Sequence, residues 1–312
     1  MTTVHCLTPN PALDITYRVA SMRLHAVNRV RDVEQRPGGK GVNVARVLSA
    51  RGAPVATYGF LGGGAGDTLA GLLAEHAPGI VQRWTRVPAE TRRTIAVVDE
   101  TDTTMLNEPG RPVGPADWAA LTEALAASCA PGDVVTISGS LPQGADGAVL
   151  AGLIRVVRST GAAVLADTSG EALLTAADAG ADVVKPNRDE ILEATGASDV
   201  REGIGQLLAR GCGAVVASLG SDGMILGGAE GFVSARLNRI LRGNPTGAGD
   251  AAVAALAHGL ALASPSHSRF GALSAALVDA VAWSAAAVLS PVAGEIDQAE
   301  AAQLTFDVLV QE

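Results

Sequence analysis

Two lysines and one repeated tetrapeptide carry most of the chemistry that this sequence can offer. Lysine and arginine together number 23, yet Lys40 in "RPGGKGVN" and Lys185 in "DVVKPNRDE" are the only lysines. Arginine supplies every other cation. A compact ammonium on a flexible stem enters crowded sites that a planar guanidinium cannot. Both lysines stand where a strand-like run gives way to a helix-like one. Around Lys40, Gly38, Gly39 and Gly41 let backbone N–H groups come close to a ligand. The helix that follows presents its N-terminus, which favours an anion. Lys40 and Asn43, three apart, share one face of its first turn. This is not a Walker A loop, because Gly41 follows the lysine where Ser or Thr is required.

The tetrapeptide Gly-Ala-Gly-Asp occurs in "FLGGGAGDTLAGLL", ending at Asp67, and in "NPTGAGDAAVAALAHGL", ending at Asp250. An Asp at a helix start ordinarily caps N–H groups and complements the helix dipole. The first copy opens "DTLAGLLAEHA", which is amphipathic and carries Glu75 and His76, so a surface helix is expected. The second opens "DAAVAALAHGLALA", apolar on nearly every side, so a buried helix is expected. A buried helix aims its free N–H groups inward. There they can hold a phosphoryl group in transfer, with Asp250 beside it as base. Gly247, Ala248, Gly249 and Asp250 are the catalytic candidates.

The elements that must position these groups follow from the pattern. "TVHCLT", "VATYGFL", "DVVTISG", "AVLADT", "DVVKPN" and "AVVASLG" read as strands. "GVNVARVLSARG", "DTLAGLLAEHA", "ADWAALTEALAASC", "AVLAGLIRVVRSTG", "EALLTAADAG" and "REGIGQLLARG" read as helices between them. Such alternation predicts an α/β fold, a mainly parallel sheet with helices on both faces. Its ligands sit at the C-terminal ends of the strands. Two stretches, about residues 15–37 and 80–110, read as successive strands without helices. They predict a small β-sheet lid. An exposed lid has an edge and an apolar face to bury, so a homodimer through the lid is expected. Trp84, on a lid strand, Trp118, Trp283 and His258 read as packing residues.

At 312 residues, 48% hydrophobic and 18% charged, the chain can build a large core. A net charge of −9 argues against a nucleic-acid surface but not against a small anionic ligand. Cys6, Cys129 and Cys212 have neither zinc nor disulfide spacing. With an N-terminus unlike a secretory signal, they point to the cytoplasm. "GALSAALVDAVAWSAAAVLS" contains Asp279 and several serines, and reads as a buried helix rather than a membrane span.

Seven motifs in chain order resemble the phosphofructokinase-B branch of the ribokinase-like sugar kinases. They are "TPNPALD", "PGGKGVNVARVL", "SGSLPQG", "DTSGEAL", "VVKPNRDE", "VVASLGSDG" and "PTGAGDAAVAALAHGL". The resemblance covers essentially residues 1–312 as one kinase domain. It implies a three-layer α/β/α sandwich with a lid, and ATP and Mg²⁺ as cofactors. It assigns Asp14, Gly39, Lys40, Asn43, Arg92 and Ser138 to the sugar phosphate, with Lys40 and Arg92 on its phosphate. Lys185, Asn187, Ser218, Gly220 and Gly223 fall to the nucleotide. Asn187 and Glu190 organise Mg²⁺ through water, Gly247 to Gly249 form the anion hole, and Asp250 is the base.

Within the branch the chain resembles the group of 1-phosphofructokinase, tagatose-6-phosphate kinase and the minor 6-phosphofructokinase. "NEPG" leans to fructose 1-phosphate, whereas "NPTGAGD" and "TRRTIAVV" lean to tagatose 6-phosphate. Thr94 stands where an Asn is common, and Met105 where a charged residue is frequent. The expected order is fructose 1-phosphate, tagatose 6-phosphate, fructose 6-phosphate. A non-catalytic sugar-phosphate or nucleotide sensor is the reading of another class; the intact Asp250 and its glycines speak against it.

The choice between the two tetrapeptides is testable. Asp250→Asn should lower kcat by roughly 10²–10⁴-fold, the worth of a positioned base, while Asp67→Asn stays near wild type. A coupled ADP-release assay measures both. An essential Asp67 beside a dispensable Asp250 would reverse the choice.

Overall fold

The computed structural model describes residues 2–264, 266–290 and 292–311. In chain order its strands are β1 (Val4–Thr8), β2 (Ala12–Arg18), β3 (Asp32–Gly38), β4 (Val55–Leu61), β5 (Val81–Arg86), β6 (Arg92–Val98), β7 (Thr103–Asn107), β8 (Val134–Ser138), β9 (Ala163–Asp167), β10 (Val183–Val184), β11 (Ala214–Ser218), β12 (Met224–Gly228), β13 (Gly231–Leu237) and β14 (Val308–Gln311). The helices are α1 (Lys40–Ala50), α2 (Gly63–His76), α3 (Pro115–Ala126), α4 (Gly147–Ser159), α5 (Glu171–Asp178), α6 (Arg188–Thr195), α7 (Val200–Arg210), α8 (Ala248–Leu262), α9 (Arg269–Leu289) and α10 (Gln298–Leu304).

Ten strands form the main sheet in the order β14-β13-β12-β11-β10-β9-β8-β1-β4-β5. From β11 to β5 all neighbours are parallel; β12, β13 and β14 add an antiparallel edge. The period of two along each strand divides the core. Val134 and Val216 face a layer of α1, α8 and α9. Val135, Ile137, Val215 and Ala217 face a layer of α3 to α7. Parallel strands buried on both sides need apolar residues on both sides, which is why these runs are almost uninterrupted Val, Ile and Ala.

Alanine sets how closely α8 approaches α9. A Cβ at Gly259 on α8 would lie 2.4 Å from the Cβ of Ala276 on α9. Among the described residues α9 is the one helix long and apolar enough to cross a membrane, and it is largely buried in this core. Trp283 on α9 is buried beside the half-buried His258, ring centroids 5.7 Å apart, and carries the Arg51 guanidinium 4.3 Å from its ring. Trp118 packs edge-on against Phe60.

A second sheet of four strands, β3-β2-β6-β7, stands beside the first. Leu13 and Ile15 on one face of β2 pack against Ala65 of α2, with Tyr17, Leu72 and Ile95 around them. Asp14 lies between them in sequence and therefore belongs to the opposite face. Strand β5 is not part of this lid, contrary to expectation. It runs parallel to β4 at the edge of the main sheet, with Trp84 opposite Gly59. The reason is α2, which supplies the crossover that a parallel neighbour requires. The lid is built instead from residues 12–18, 32–38, 92–98 and 103–107.

The first tetrapeptide also differs from expectation. Helix α2 begins at Gly63, so Asp67 lies inside it, exposed and paired with Arg86 at 2.6 Å.

The close helix crossing gives a stability test. Gly259→Ala should destabilise by about 1–3 kcal/mol, the range for forcing a methyl into a packed core. Gly152→Ala on α4, where a Cβ meets nothing within 4 Å, should stabilise by up to about 1 kcal/mol by removing a mid-helix glycine. Urea unfolding midpoints of both variants decide the point.

Candidate active site

The C-terminal ends of three adjacent parallel strands, β9, β10 and β11, converge on one cleft of about 870 Å³. Its floor is the start of α8. Gly247, at φ 85°, is the residue before that helix. A side chain there would be strained and would also meet Ala293, whose Cα lies 3.0 Å from the Cβ position. The left-handed turn leads the chain into α8 with Ala248, Gly249 and Asp250 as its first three residues. All four expected catalytic residues line the cleft.

Asp250 is 6% exposed, and Asn43 of α1 donates its Nδ2 to Asp250 Oδ2 at 2.8 Å. Burial pushes the Asp250 carboxyl up to about 7, and the negative charge of Asp167 adds to the push. The Asn43 hydrogen bond and the charges of Lys40 and Lys185 pull the other way. The group is thus poised to take up a proton near neutral pH.

Asp167 is the residue that holds the two lysines. It ends β9, is 2% exposed, and takes Lys185 Nζ on Oδ1 at 3.1 Å and Lys40 Nζ on Oδ2 at 3.5 Å. Lys185 is buried with it, whereas the Lys40 side chain is 45% exposed and reaches out of the cleft wall. The Asp167 charge raises the Lys40 pKa against the opposing effect of burial. Sequence reading had not singled Asp167 out. Its signal was an acid closing an apolar strand in "AVLADT", a place where a carboxylate loses its water unless a cation joins it.

On the other wall, Ser218 ends β11, and Gly220 and Gly223 flank the short turn behind it. Gly223, at φ 87°, has the Ala235 carbonyl 2.1 Å from its Cβ position, so no side chain fits. Asn187 and Glu190 form a capping box on α6. Asn187 Oδ1 accepts from Glu190 N, and Glu190 Oε2 accepts from Asn187 N, each at 2.8 Å. Pro186 interrupts the ladder after β10, which limits that strand to two residues and lets the segment turn into the cleft.

The lid side is separate. Asp14 accepts from Thr94 and is buried enough to raise its carboxyl to about 6; Arg92, that hydrogen bond and Arg46 oppose the rise. A Cβ at Gly38 would fall 2.1 Å from Asp14 Oδ2, so this glycine leaves room for the carboxylate. Gly39, at φ 111°, precedes α1 and packs its backbone against Thr8 and Pro11. Arg92 donates to the carbonyls of Asn10 (3.1 Å) and Glu108 (3.2 Å), and burial lowers its pKa.

One expectation needs correction, at Ser138. Lys40 and Arg92 line different clefts, Lys40 the main one and Arg92 two smaller ones beside Gly110 and Arg111. The Lys40 ammonium is drawn to the buried Asp167. Ser138 is fully buried beside Asp167 in the strand register and forms no part of a cleft wall. The alternation of β8 sets it on the same face as Asp167, where its neighbours cover it completely, and Ser140, exposed and 3.2 Å from Asn10 Nδ2, stands at the surface instead.

Comparison with known proteins agrees with this geometry. The pfkB family carbohydrate kinase profile matches residues 8–298. The 1-phosphofructokinase of Rhodobacter capsulatus is 40% identical over 264 residues, 81% of this chain and 82% of that protein. The fold superposes on phosphofructokinase-2 from Escherichia coli in complex with fructose-6-phosphate with a TM-score of 0.87, at 26% identity, covering 98% and 99% of the two chains. Ribokinase from Thermotoga maritima shares the fold at a TM-score of 0.75 and 18% identity, over 97% and 99%. With its buried aspartate at a glycine turn, its ribokinase-like layers and its lid, the chain belongs to the pfkB family of carbohydrate kinases.

Proposed function

We propose that this kinase transfers the γ-phosphoryl group of ATP to a hydroxyl of a phosphorylated ketohexose, first of all fructose 1-phosphate, giving fructose 1,6-bisphosphate. The observation that carries the reading is Asp250: desolvated, near neutral in pKa, and seated at the N-terminus of α8 on the cleft floor.

The mechanism follows from that seat. Asn43 holds Asp250 Oδ2, which leaves Oδ1 to accept the proton of the attacking hydroxyl. As that proton leaves, the oxygen attacks the γ-phosphorus in line and the bond to the ADP oxygen breaks. The N–H groups that open α8 stabilise the equatorial oxygens of the transferred group. Lys40 and Lys185, anchored on Asp167, bring positive charge to the same cleft. Ser218, Gly220 and Gly223 form the nucleotide wall. Mg²⁺, when bound, neutralises phosphate charge. Among the described residues no three His, Cys, Asp or Glu side chains form a metal cage. Asn187 and Glu190 offer oxygen donors already engaged with backbone N–H groups, which suits an ion that keeps its own waters.

The substrate class rests on Arg92. Its named hydrogen-bond partners are all neutral oxygens, Asn10 O, Glu108 O and Thr94 Oγ1. A half-buried guanidinium so placed gains most from an anionic partner, which a sugar's standing phosphate supplies. Asp14 across the lid receives the sugar hydroxyls. The 40% identity to a 1-phosphofructokinase supports fructose 1-phosphate. Fructose 6-phosphate and tagatose 6-phosphate are the alternatives, because a flipped sugar meets a similar clamp. Val33, Met105 and Leu106 leave apolar surface on the lid, in keeping with a lid-to-lid homodimer. The free cysteines, two of them buried, suit a reducing cytoplasm.

Arg92→Ala should lower kcat/KM for the sugar phosphate by about 10- to 100-fold, the worth of a charged hydrogen bond. ATP affinity without sugar should not change. In the same panel free fructose and ribose should be at least ~100-fold poorer than the best sugar phosphate. An unphosphorylated sugar ranking first would contradict the substrate class.

A further inference from the structure

Away from the reacting groups, three residues after α9 join the lid to the floor of the site. Ala293, Gly294 and Glu295 touch the machinery at three points. Ala293 lies under Gly247. Gly294, at φ 77°, lies flat against α1, with its Cβ position 2.8 Å from Asn43 Oδ1 and 3.0 Å from Arg46 Nη1. Glu295 Oε1 takes two guanidinium groups at once, Arg46 Nη2 at 2.5 Å and Arg36 Nη1 at 3.2 Å.

The two arginines come from opposite sides of the site. Arg46 is on α1, one turn beyond Asn43, and its side chain is only 7% exposed. It also donates to the Ala293 carbonyl at 2.9 Å. Arg36 is on β3 of the lid, directly opposite Asp14 in the strand register. One carboxylate oxygen therefore spans the lid strand that backs Asp14 and helix α1, whose Asn43 hydrogen-bonds to Asp250. Nothing in the phosphoryl transfer itself uses Glu295. A surface pair made for stability alone has no reason to bridge these two elements through a segment that also supports Gly247.

We propose that Glu295 is a positioning residue: it ties lid strand β3, through Arg36, to helix α1, through Arg46, and so fixes Asp14 over Asp250 when the sugar phosphate binds. The proposal rests on the kinase reading above and on the lid as the sugar side.

A double-mutant cycle tests it, with KM for fructose 1-phosphate and for ATP, kcat and Tm measured for wild type, Arg36→Met, Glu295→Gln and the pair. If wild type prefers another sugar phosphate, that acceptor is used. Arg36→Met leaves the Arg46–Glu295 pair intact but also removes the Arg36–Glu34 pair within β3, so Glu34→Gln, which leaves the tie in place, is measured beside it and should leave the sugar KM unchanged. The tie predicts that Arg36→Met raises the sugar KM about fivefold, the size of a half-exposed ion pair. ATP KM should stay within about twofold. In the Glu295→Gln background Arg36→Met should add nothing further, as coupled residues do. A sugar KM unmoved by Arg36→Met, an equal rise in ATP KM, or effects that multiply would overturn the tie while leaving the kinase reading standing. A wild type that phosphorylates no sugar phosphate would overturn both.

Discussion

The burial of Asp250 sets the terms for the rest of the site. Lifting a carboxyl from its ordinary value of 3.8 to about 7 corresponds to a folding cost on the order of 4 kcal/mol above neutral pH, where the folded group must ionise against its surroundings. The fold accepts that cost at one place, and its neighbours limit it. Asn43 donates to one oxygen, and Lys40 and Lys185 stand near enough to favour the anion. Asp167 works in the opposite sense on Asp250, yet it is also the anchor that keeps both ammonium groups in the cleft. Two carboxylates and two ammonium groups around one cleft thus bring the Asp250 carboxyl close to the pH at which a general base works best.

The architecture explains why these four charges meet. Lys40 and Asn43 come from α1, Asp167 from the end of β9, Lys185 from just beyond β10 and Asp250 from α8. Strands β9 and β10 are neighbours in the sheet, so Asp167 and Lys185 are brought together by parallel pairing. Helices α1 and α8 share one face of the sheet, and the small residues of α8 let the two approach. The lid turns Asp14 away from the apolar face that α2 covers, which is the side the proposed function gives to the sugar.

Much of this was legible in the sequence where the signal is local. A glycine turn before an apolar helix marked Asp250, and two lysines in an arginine-rich chain marked Lys40 and Lys185. The alternation of strand and helix patterns gave the layers and the mainly parallel direction of the strands. What was hidden is what depends on neighbours distant in the chain. Asp167 acquires its role only because β9 lies beside β10. Ser138 is fully covered by neighbours that the fold brings over the end of β8, which a motif match does not register. The run containing Trp84 has the period of a strand in either sheet, and only the crossover through α2 assigns it to the large one. Glu295 joins residues 259 and 249 positions away, so no local pattern announces it.

The central claim is that Asp250 is the base and that Asn43 helps set its proton affinity. The most direct measurement is the pH dependence of kcat/KM for wild type and Asn43→Ala. Ionisations of the substrates are common to both enzymes, so their difference reports the protein. The account predicts an acid limb near pH 7 in wild type, with activity rising as Asp250 loses its proton. It predicts that the limb moves to higher pH in Asn43→Ala, because the lost hydrogen bond had favoured the carboxylate. Limbs that coincide, or a wild-type limb near pH 4, would contradict it.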